Sequence, residues 1–295
     1  MKKSNIGFLA FGATVLALGT LAACSPVKTI NALTPIAGAD IPHNIAYGAN
    51  PRYRLDIYRP AGNAIGQPVV VFFYGGNWTS GERANYAFIG RALAARGIVA
   101  VIPDYRLYPE VSYPDFLDDS AAALAWTQRE ITRFGGDPRQ LFAMGHSAGA
   151  YNASMLALDA QWLRKQGSSP AALRGWIGLA GPYDFLPIEN KTARPVFHFP
   201  NTPPESQPVR HVSAGAPPAL LIAASDDKLV NPTRNTGNMA RLLRERGVPV
   251  TERYYDHLSH TLLIGSISAP LRLLAPTLDD IERFVKSPPA AARQP

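Results

Sequence analysis

The chain has 295 residues, of which 46% are hydrophobic and 17% are charged, and these proportions exclude disordered and fibrous classes. The length would suffice for two average domains, but α/β folds of this size commonly form one, so we expect one large core. The formal net charge of +7 raises nucleic acid as a partner, yet the lysines and arginines form no run of five and no recognisable nucleic-acid-binding module, which argues against it.

Residues 1–23 have the pattern of a secretory leader. Two lysines precede an apolar stretch over residues 6–18, which is too short to span a bilayer. Small residues precede Cys24, the only cysteine of the chain, and this arrangement resembles the lipobox of bacterial lipoproteins. The resemblance implies that Cys24 carries lipid as the first mature residue, and that Ser25 after it directs the protein to the outer membrane. An ordinary cleaved leader with an incidental cysteine is the alternative.

Three further regions follow the leader. Residues 24–40 are rich in Pro, Ala, Gly and Thr without periodicity, which is typical of a tether. Residues 41–286 have the pattern of one folded domain, and residues 287–295 form a flexible tail rich in proline. The domain opens with two short alternating segments, residues 43–47 and 53–59, which predict an antiparallel hairpin.

Buried apolar runs then alternate with helical segments along the chain. Runs that are apolar on both faces belong to strands covered by helices on each side, so the pattern predicts a mostly parallel central sheet in an α/β fold. The predicted strands cover residues 69–74, 98–102, 141–144, 176–180, 219–224 and 250–254. The predicted helices cover residues 86–96, 116–134, 148–159, 234–246 and 277–286. Gly97, Gly135 and Gly247 lie where C-terminal helix caps are expected.

Residues 183–218 form a long segment that contains eight prolines and has no clear period. A segment of this length without regular structure inside a compact domain is usually functional. We therefore expect a small irregular cap over the site.

The candidate nucleophile is Ser147. It lies in Gly145-His146-Ser147-Ala148-Gly149, a G-x-S-x-G pattern that is weak by itself. The context strengthens it, because an apolar strand precedes the motif, a helix follows it, and the two glycines let the strand and the helix approach closely. The start of the helix also adds positive potential and free N–H groups beside the serine. A glycine-rich turn with an incidental serine is the alternative.

Gly75, Gly76 and Asn77 are the candidate oxyanion-hole residues, together with Ala148 after the serine. They follow the strand that starts at residue 69, and the sequence Tyr74-Gly75-Gly76-Asn77 partly matches an HGGG-type motif. The backbone N–H groups of Gly76, Asn77 and Ala148 would bind the developing oxyanion. A plain strand-to-loop turn at the two glycines is the alternative.

The order Ser, acid, His along the chain, which is found in hydrolases with this motif, limits the choice of base. Only His257 and His260 lie after the last predicted strand. We favour His260, because the apolar residues 262–264 after it should begin a helix that fixes the loop. Ser225-Asp226-Asp227 follows the strand over residues 219–224 and supplies the acid, whose task is to accept the histidine N–H and fix its tautomer. Asp227 is preferred to Asp226, although either could be a simple turn residue.

Four further motifs carry a family likeness. They are Ile102-Pro103-Asp104-Tyr105-Arg106-Leu107, Tyr113-Pro114 with Asp118-Asp119, Gly135-Gly136-Asp137-Pro138, and the pattern around Ser147. Together they resemble the α/β-hydrolase carboxylesterases related to hormone-sensitive lipase, kynurenine formamidase and bacterial feruloyl esterases, over residues 53–284. The resemblance implies a G-x-x-D-x-x-V segment in which Val230 sets the register and selects Asp227 as the acid.

The expected function is that of a serine esterase that forms an acyl-enzyme on small or aryl esters. The family resemblance implies no metal and no organic cofactor. The lipobox resemblance implies a membrane contact through a lipid anchor, and the scattered basic residues argue against nucleic acid. An amidase, arylformamidase or peptidase on the same triad is one alternative, and a surface lipoprotein that binds without catalysis is another. The sequence gives no indication of the oligomeric state.

Overall fold

A computed structural model describes residues 29–31, 34, 39–62 and 64–289. Within these residues nine strands form one sheet, in the order β1-β3-β5-β4-β6-β7-β8-β9, with β2 paired to β3. The strands are β1 Ala39–Asp40, β2 Ile45–Ala46, β3 Arg54–Pro60, β4 Gln67–Phe73, β5 Val99–Pro103, β6 Gly136–His146, β7 Leu173–Leu179, β8 Ala219–Ala224 and β9 Val250–Tyr255.

The pairing directions divide the sheet into two parts. Strands β4 to β9 are parallel to one another, whereas β3 is antiparallel to β1, β2 and β5. The predicted hairpin is therefore confirmed as β2 and β3, and the predicted parallel sheet is confirmed as β4 to β9. Parallel strands end at a common edge, so the loops that follow them meet there.

The helices are α1 Ala87–Ala94, α2 Asp115–Glu130, α3 Ala148–Leu158, α4 Ala160–Arg164, α5 Asn238–Glu245, α6 His260–Gly265 and α7 Thr277–Lys286. Helix α1 packs against β5 and α7, whereas α2, α3 and α4 pack against one another. The two groups cover the sheet, which is why β5 and β8 are buried along their whole length. Every residue of α3 is buried, and its small Ala, Gly and Ser side chains allow this close packing.

The helix ends differ in part from the predicted bounds. Gly97, Gly135 and Gly247 have φ values of 75°, 83° and 72°, so the left-handed caps are confirmed. Residues 131–134 form a 3-10 helix after α2, and residues 233–237 form a π-helix before α5. A 3-10 turn is frequent at a helix end whereas a π-helix is rare, and hydrophobic periodicity reveals neither.

The Pro-rich segment over residues 183–218 packs against the rest of the domain through an aromatic side chain. Its three 3-10 helices are Pro195–Phe197, Pro204–Ser206 and Pro208–His211, and each begins with proline. Phe197 is fully buried, and its ring lies 4.8 Å from Trp78 and 5.5 Å from Tyr151 of α3 between centroids. We call residues 183–218 the cap.

The leader, Cys24 and most of the tail lie outside the described residues. Within the predicted tether, Asn31 donates to the Ala84 carbonyl at 2.9 Å, and Arg91 donates to the Thr34 carbonyl at 3.1 Å. These tether residues thus lie against the domain. None of the helices in the described part of the chain is long and apolar enough to cross a membrane.

Candidate active site

Ser147 lies on a sharp turn between β6 and α3. Its backbone has φ 55° and ψ −122°, a strained conformation for a non-glycine residue. Its amide donates to the Leu179 carbonyl of β7 at 2.9 Å. A Cβ added at Gly145 would lie 2.1 Å from the Gly149 oxygen, and one at Gly149 would lie 1.9 Å from the Phe73 oxygen. Both glycines are therefore required by close packing of strand, turn and helix.

The loops after β8 and β9 bring Asp227 and His260 together. Nδ1 of His260 lies 2.6 Å from Oδ2 of Asp227, and both residues are buried. His260 opens α6, where the Ser259 hydroxyl accepts the Leu262 amide at 3.2 Å and caps the helix. The His260 ring also lies 4.7 Å from the ring of His146, the residue that precedes Ser147.

The two alternative residues lie elsewhere. His257 and Asp226 are both exposed, and His257 occupies the left-handed region with φ 61°. Neither has the buried contact that joins Asp227 to His260. The expected choice of Asp227 and His260 thus agrees with the geometry, although their catalytic roles stay a prediction.

Hydrogen bonds hold the Asp227 carboxylate in its charged form. Oδ1 accepts the amides of Leu229 at 2.8 Å and Val230 at 3.0 Å, while Oδ2 faces His260. Burial acts to raise the pKa of Asp227, but the hydrogen bonds from His260, Val230 and Leu229 outweigh it, and the pKa is lowered. A carboxylate fixed in this way can orient the histidine ring.

The predicted oxyanion loop lies against the turn that carries Ser147. A Cβ at Gly75 would lie 3.0 Å from the Ser147 Cβ, and one at Gly76, where φ is 127°, would lie 2.2 Å from the Ser80 oxygen. Asn77 follows with φ 53°, and it lines the same pocket as Ser147 and Ala148. Of the predicted residues, Gly75 thus touches the serine, and Asn77 and Ala148 share its pocket.

Tyr74 anchors the start of this loop. Its hydroxyl donates to Oδ1 of Asp104 at 2.9 Å and accepts from Nη2 of Arg52 at 3.1 Å. Its carbonyl accepts the Tyr105 hydroxyl at 2.7 Å. Burial raises the pKa of Tyr74 well above its ordinary value, so the hydroxyl remains a donor. Tyr74, which stands where the HGGG-type motif has histidine, is therefore held by hydrogen bonds with Asp104, Arg52 and Tyr105.

The pocket that contains Ser147 has a volume of about 130 Å³. The cap forms much of its wall, and the loop after β8 forms another part. Asn190 of the cap donates to Oδ1 of Asn77 at 2.8 Å, so the cap contacts the oxyanion loop directly. The lining residues are Asn77, Trp78, Ser147, Ala148, Pro182, Asp184, Phe185, Pro187, Ile188, Glu189, Asn190, Ala193, Leu229, Val230, Asn231, Arg234 and Asn235.

No motif in the sequence indicates several of these pocket residues. Arg234 donates to the Leu186 carbonyl and lies 3.3 Å from Oδ1 of Asp184, so it closes one side of the pocket. Trp78 donates from Nε1 to Oδ1 of Asn152 at 2.9 Å. These contacts join residues far apart in the chain and belong to no short motif.

Comparison with known proteins is consistent with this geometry. Residues 55–242 match the BD-FAE family. A probable isoprenylcysteine alpha-carbonyl methylesterase of Arabidopsis thaliana is 27% identical over 78% of this chain and 52% of its own length. A probable carboxylic ester hydrolase of Mycobacterium tuberculosis is 30% identical over 82% of this chain and 60% of its own length. The chain thus spans between half and two thirds of the length of these two relatives.

Solved structures share the fold. A tributyrin phosphonate-inhibited esterase B from Lactobacillus rhamnosis superposes with a TM-score of 0.75 at 20% identity, over 96% of each chain. At this identity the likeness concerns the fold alone. It confirms the predicted α/β-hydrolase fold, with its mostly parallel sheet between helices.

Proposed function

Because the chain belongs to the BD-FAE family, we propose that it is a carboxylic ester hydrolase that uses Ser147 as nucleophile, His260 as base and Asp227 as acid. The observation that carries this proposal is the 2.6 Å contact between His260 and Asp227, which lies beside the strained turn that presents Ser147 to a pocket. The family and the esterase relatives support the reaction class.

The proposed mechanism gives each side chain a task. Nδ1 of His260 faces Asp227, so Nε2 is the nitrogen that takes the Ser147 proton when the hydroxyl attacks the ester carbonyl. The backbone amides of Gly76, Asn77 and Ala148 stabilise the oxyanion, and each is worth about 3 to 4 kcal/mol of the barrier. His260 then returns the proton to the leaving alcohol. Water, activated by His260, then hydrolyses the acyl-enzyme by the same route and releases the carboxylic acid.

The pocket supports small or aryl esters as substrates. Its volume of about 130 Å³ is close to that of an apolar cavity of roughly 150 Å³ that holds benzene. Trp78, Phe185, Ile188 and Leu229 supply apolar walls. A long acyl chain would not fit inside this pocket and would extend into solvent. Acetyl and butyryl nitrophenyl esters should therefore be turned over faster than palmitoyl nitrophenyl esters.

Ser147 labelling tests the reaction class directly. Wild-type protein should react covalently with a fluorophosphonate and hydrolyse nitrophenyl butyrate, whereas Ser147→Ala should do neither. An ester and its matched amide, measured side by side, separate an esterase from an amidase or peptidase by their relative kcat/KM. Absence of both labelling and turnover in the folded wild type would leave the non-catalytic binding function as the better account.

We also propose that Cys24 carries a lipid that holds the enzyme on the outer membrane. The support is the leader pattern before Cys24 and the tether after it. Metabolic labelling with a palmitate analogue should mark the full-length protein and spare Cys24→Ser. Recovery of the unlabelled wild type in the soluble periplasmic fraction would contradict the proposal.

A further inference from the structure

His146 is a buried histidine that the proposed reaction does not use. It is 5% exposed, and its Nε2 lies 3.1 Å from the backbone carbonyl oxygen of His260. A carbonyl oxygen only accepts, so Nε2 of His146 carries the hydrogen and donates it. The other ring nitrogen, Nδ1, is buried and has no hydrogen-bond partner in the described part of the chain. The ring is therefore held as one neutral tautomer.

The same residue touches the three parts of the site. His146 directly precedes Ser147 in the sequence, and its ring centroid lies 4.7 Å from that of His260 at an interplanar angle of 44°. A Cβ at Gly75 would lie 3.0 Å from the His146 carbonyl oxygen and 3.3 Å from its Nδ1. The turn that carries Ser147, the loop that carries His260 and the predicted oxyanion loop thus meet at His146.

We propose that His146 is a positioning residue that fixes the backbone of the catalytic base relative to Ser147 and the oxyanion loop, as an uncharged imidazole. The inference rests on the proposed esterase function and deepens it. The N–H of His146 holds the carbonyl of His260, and so it fixes where the His260 ring leaves the main chain. Small displacements of a catalytic group can cost two orders of magnitude in rate, which gives this contact a direct kinetic consequence.

The lack of charge on His146 is part of this role. Burial and then the neighbouring His260 lower the pKa of His146 to about 3, and Asp227 is the opposing carboxylate that acts to raise it. When His260 becomes an imidazolium during turnover, a second cation 4.7 Å away would oppose it. A neutral His146 donates its hydrogen bond without that repulsion.

Paired variants separate positioning from packing. His146→Phe keeps a ring but removes the donor, and we expect kcat to fall by up to roughly 100-fold while KM changes little. His146→Gln places an amide donor at a similar distance from the backbone and should restore most of kcat. The matched control is His211→Phe, because Nε2 of His211 also lies 2.7 Å from a backbone carbonyl, that of Glu205, outside the pocket. This control should keep the wild-type kcat.

Kinetics and spectroscopy can each overturn the inference. Equal kcat in His146→Phe and wild type would refute it, and so would equal losses in the Phe and Gln variants with unchanged melting temperatures. In ¹⁵N NMR of the folded wild type, His146 should remain a neutral Nε2–H tautomer from pH 8 to pH 5. A protonated ring or an Nδ1–H tautomer there would refute the assignment. This spectrum decides the state of His146 even if the protein hydrolyses no ester, so the two proposals can fail separately.

Discussion

Replacing Asp227 by asparagine should abolish most activity while leaving the fold intact. In Asp227→Asn the amide oxygen can still accept the Leu229 and Val230 amides, which now lie 2.8 and 3.0 Å from Oδ1. The new NH₂ group then faces Nδ1 of His260, at the position where Oδ2 lies 2.6 Å away. An NH₂ group donates, so Nδ1 must give up its hydrogen and Nε2 must carry it. Nε2 can then no longer accept the proton of Ser147.

The size of the loss follows from this change of tautomer. A wrong tautomer in a serine–histidine–acid triad lowers kcat by about 10⁴, which corresponds to about 5.4 kcal/mol in the barrier. KM should change little, because Asp227 is not among the residues that line the pocket. The assay is nitrophenyl butyrate hydrolysis, with active enzyme counted by fluorophosphonate labelling so that traces of wild type are detected.

Asp226→Asn is the matched control, because it makes the same chemical change at the exposed neighbouring carboxylate. It should keep kcat within about twofold, since exposed substitutions away from special features have small effects. A loss in Asp226→Asn that equals or exceeds the loss in Asp227→Asn would refute the assignment of the acid.

Asp227→Asn should also change how the stability of the protein depends on pH. The pKa of Asp227 is lowered in the folded protein, so the carboxylate stabilises the fold above the unfolded pKa of about 3.9, and this stabilisation is lost as the pH falls through the folded pKa. The difference in melting temperature between wild type and Asp227→Asn should therefore be largest near neutral pH and should narrow below about pH 4. A difference that grows on acidification would contradict the lowered pKa.

Three further substitutions test other parts of the site. Gly149→Ala places a Cβ 1.9 Å from the Phe73 oxygen, and thermal unfolding should show a loss of about 3 kcal/mol, at the upper end for overpacking. Tyr74→Phe removes the hydroxyl that donates to Asp104, and urea unfolding should show a loss of about 1.5 to 3 kcal/mol, with a lower kcat. In the folded protein burial lowers the pKa of His146 to about 3, whereas in the unfolded chain the pKa is near 6.5. As the pH falls between these two values, the free energy of unfolding of wild type should fall by up to about 1.4 kcal/mol per pH unit relative to that of His146→Phe.

Patterns within a few residues predicted much of this fold. The apolar runs predicted β4 to β8 because both faces of the central parallel strands are covered, and strand β8 has the predicted bounds Ala219–Ala224. Strand β9 also lies where it was predicted, but it is at the edge of the sheet and none of its residues is buried. The glycines around Ser147 predicted a close approach of strand and helix, and the clash distances at Gly145 and Gly149 explain why. The apolar residues 262–264 were expected to begin a helix, and they lie in α6, which starts two residues earlier at His260.

Such local patterns could not predict contacts between residues that are far apart in the chain. No sequence pattern indicates a role for His146, yet its ring contacts the backbone of a residue 114 positions later. The cap carries no periodic signal, because its order depends on aromatic packing against Trp78 and Tyr151 rather than on regular hydrogen bonding. Arg234 acquires its place in the pocket only through the Leu186 carbonyl and Asp184.

The complete burial of α3 has a consequence for how the enzyme fails on heating. Elements without exposed surface open only when the whole domain unfolds, whereas surface segments open locally at lower free energy. The turn that carries Ser147 should therefore keep its shape up to the melting transition. Amide hydrogens of residues 151–158, which lie beyond the free amides of the first turn, should exchange with solvent last and with a common free energy of opening. Inactivation below that transition would then begin in the cap, the outer layer of the pocket, with the nucleophile still in place and recovered on cooling.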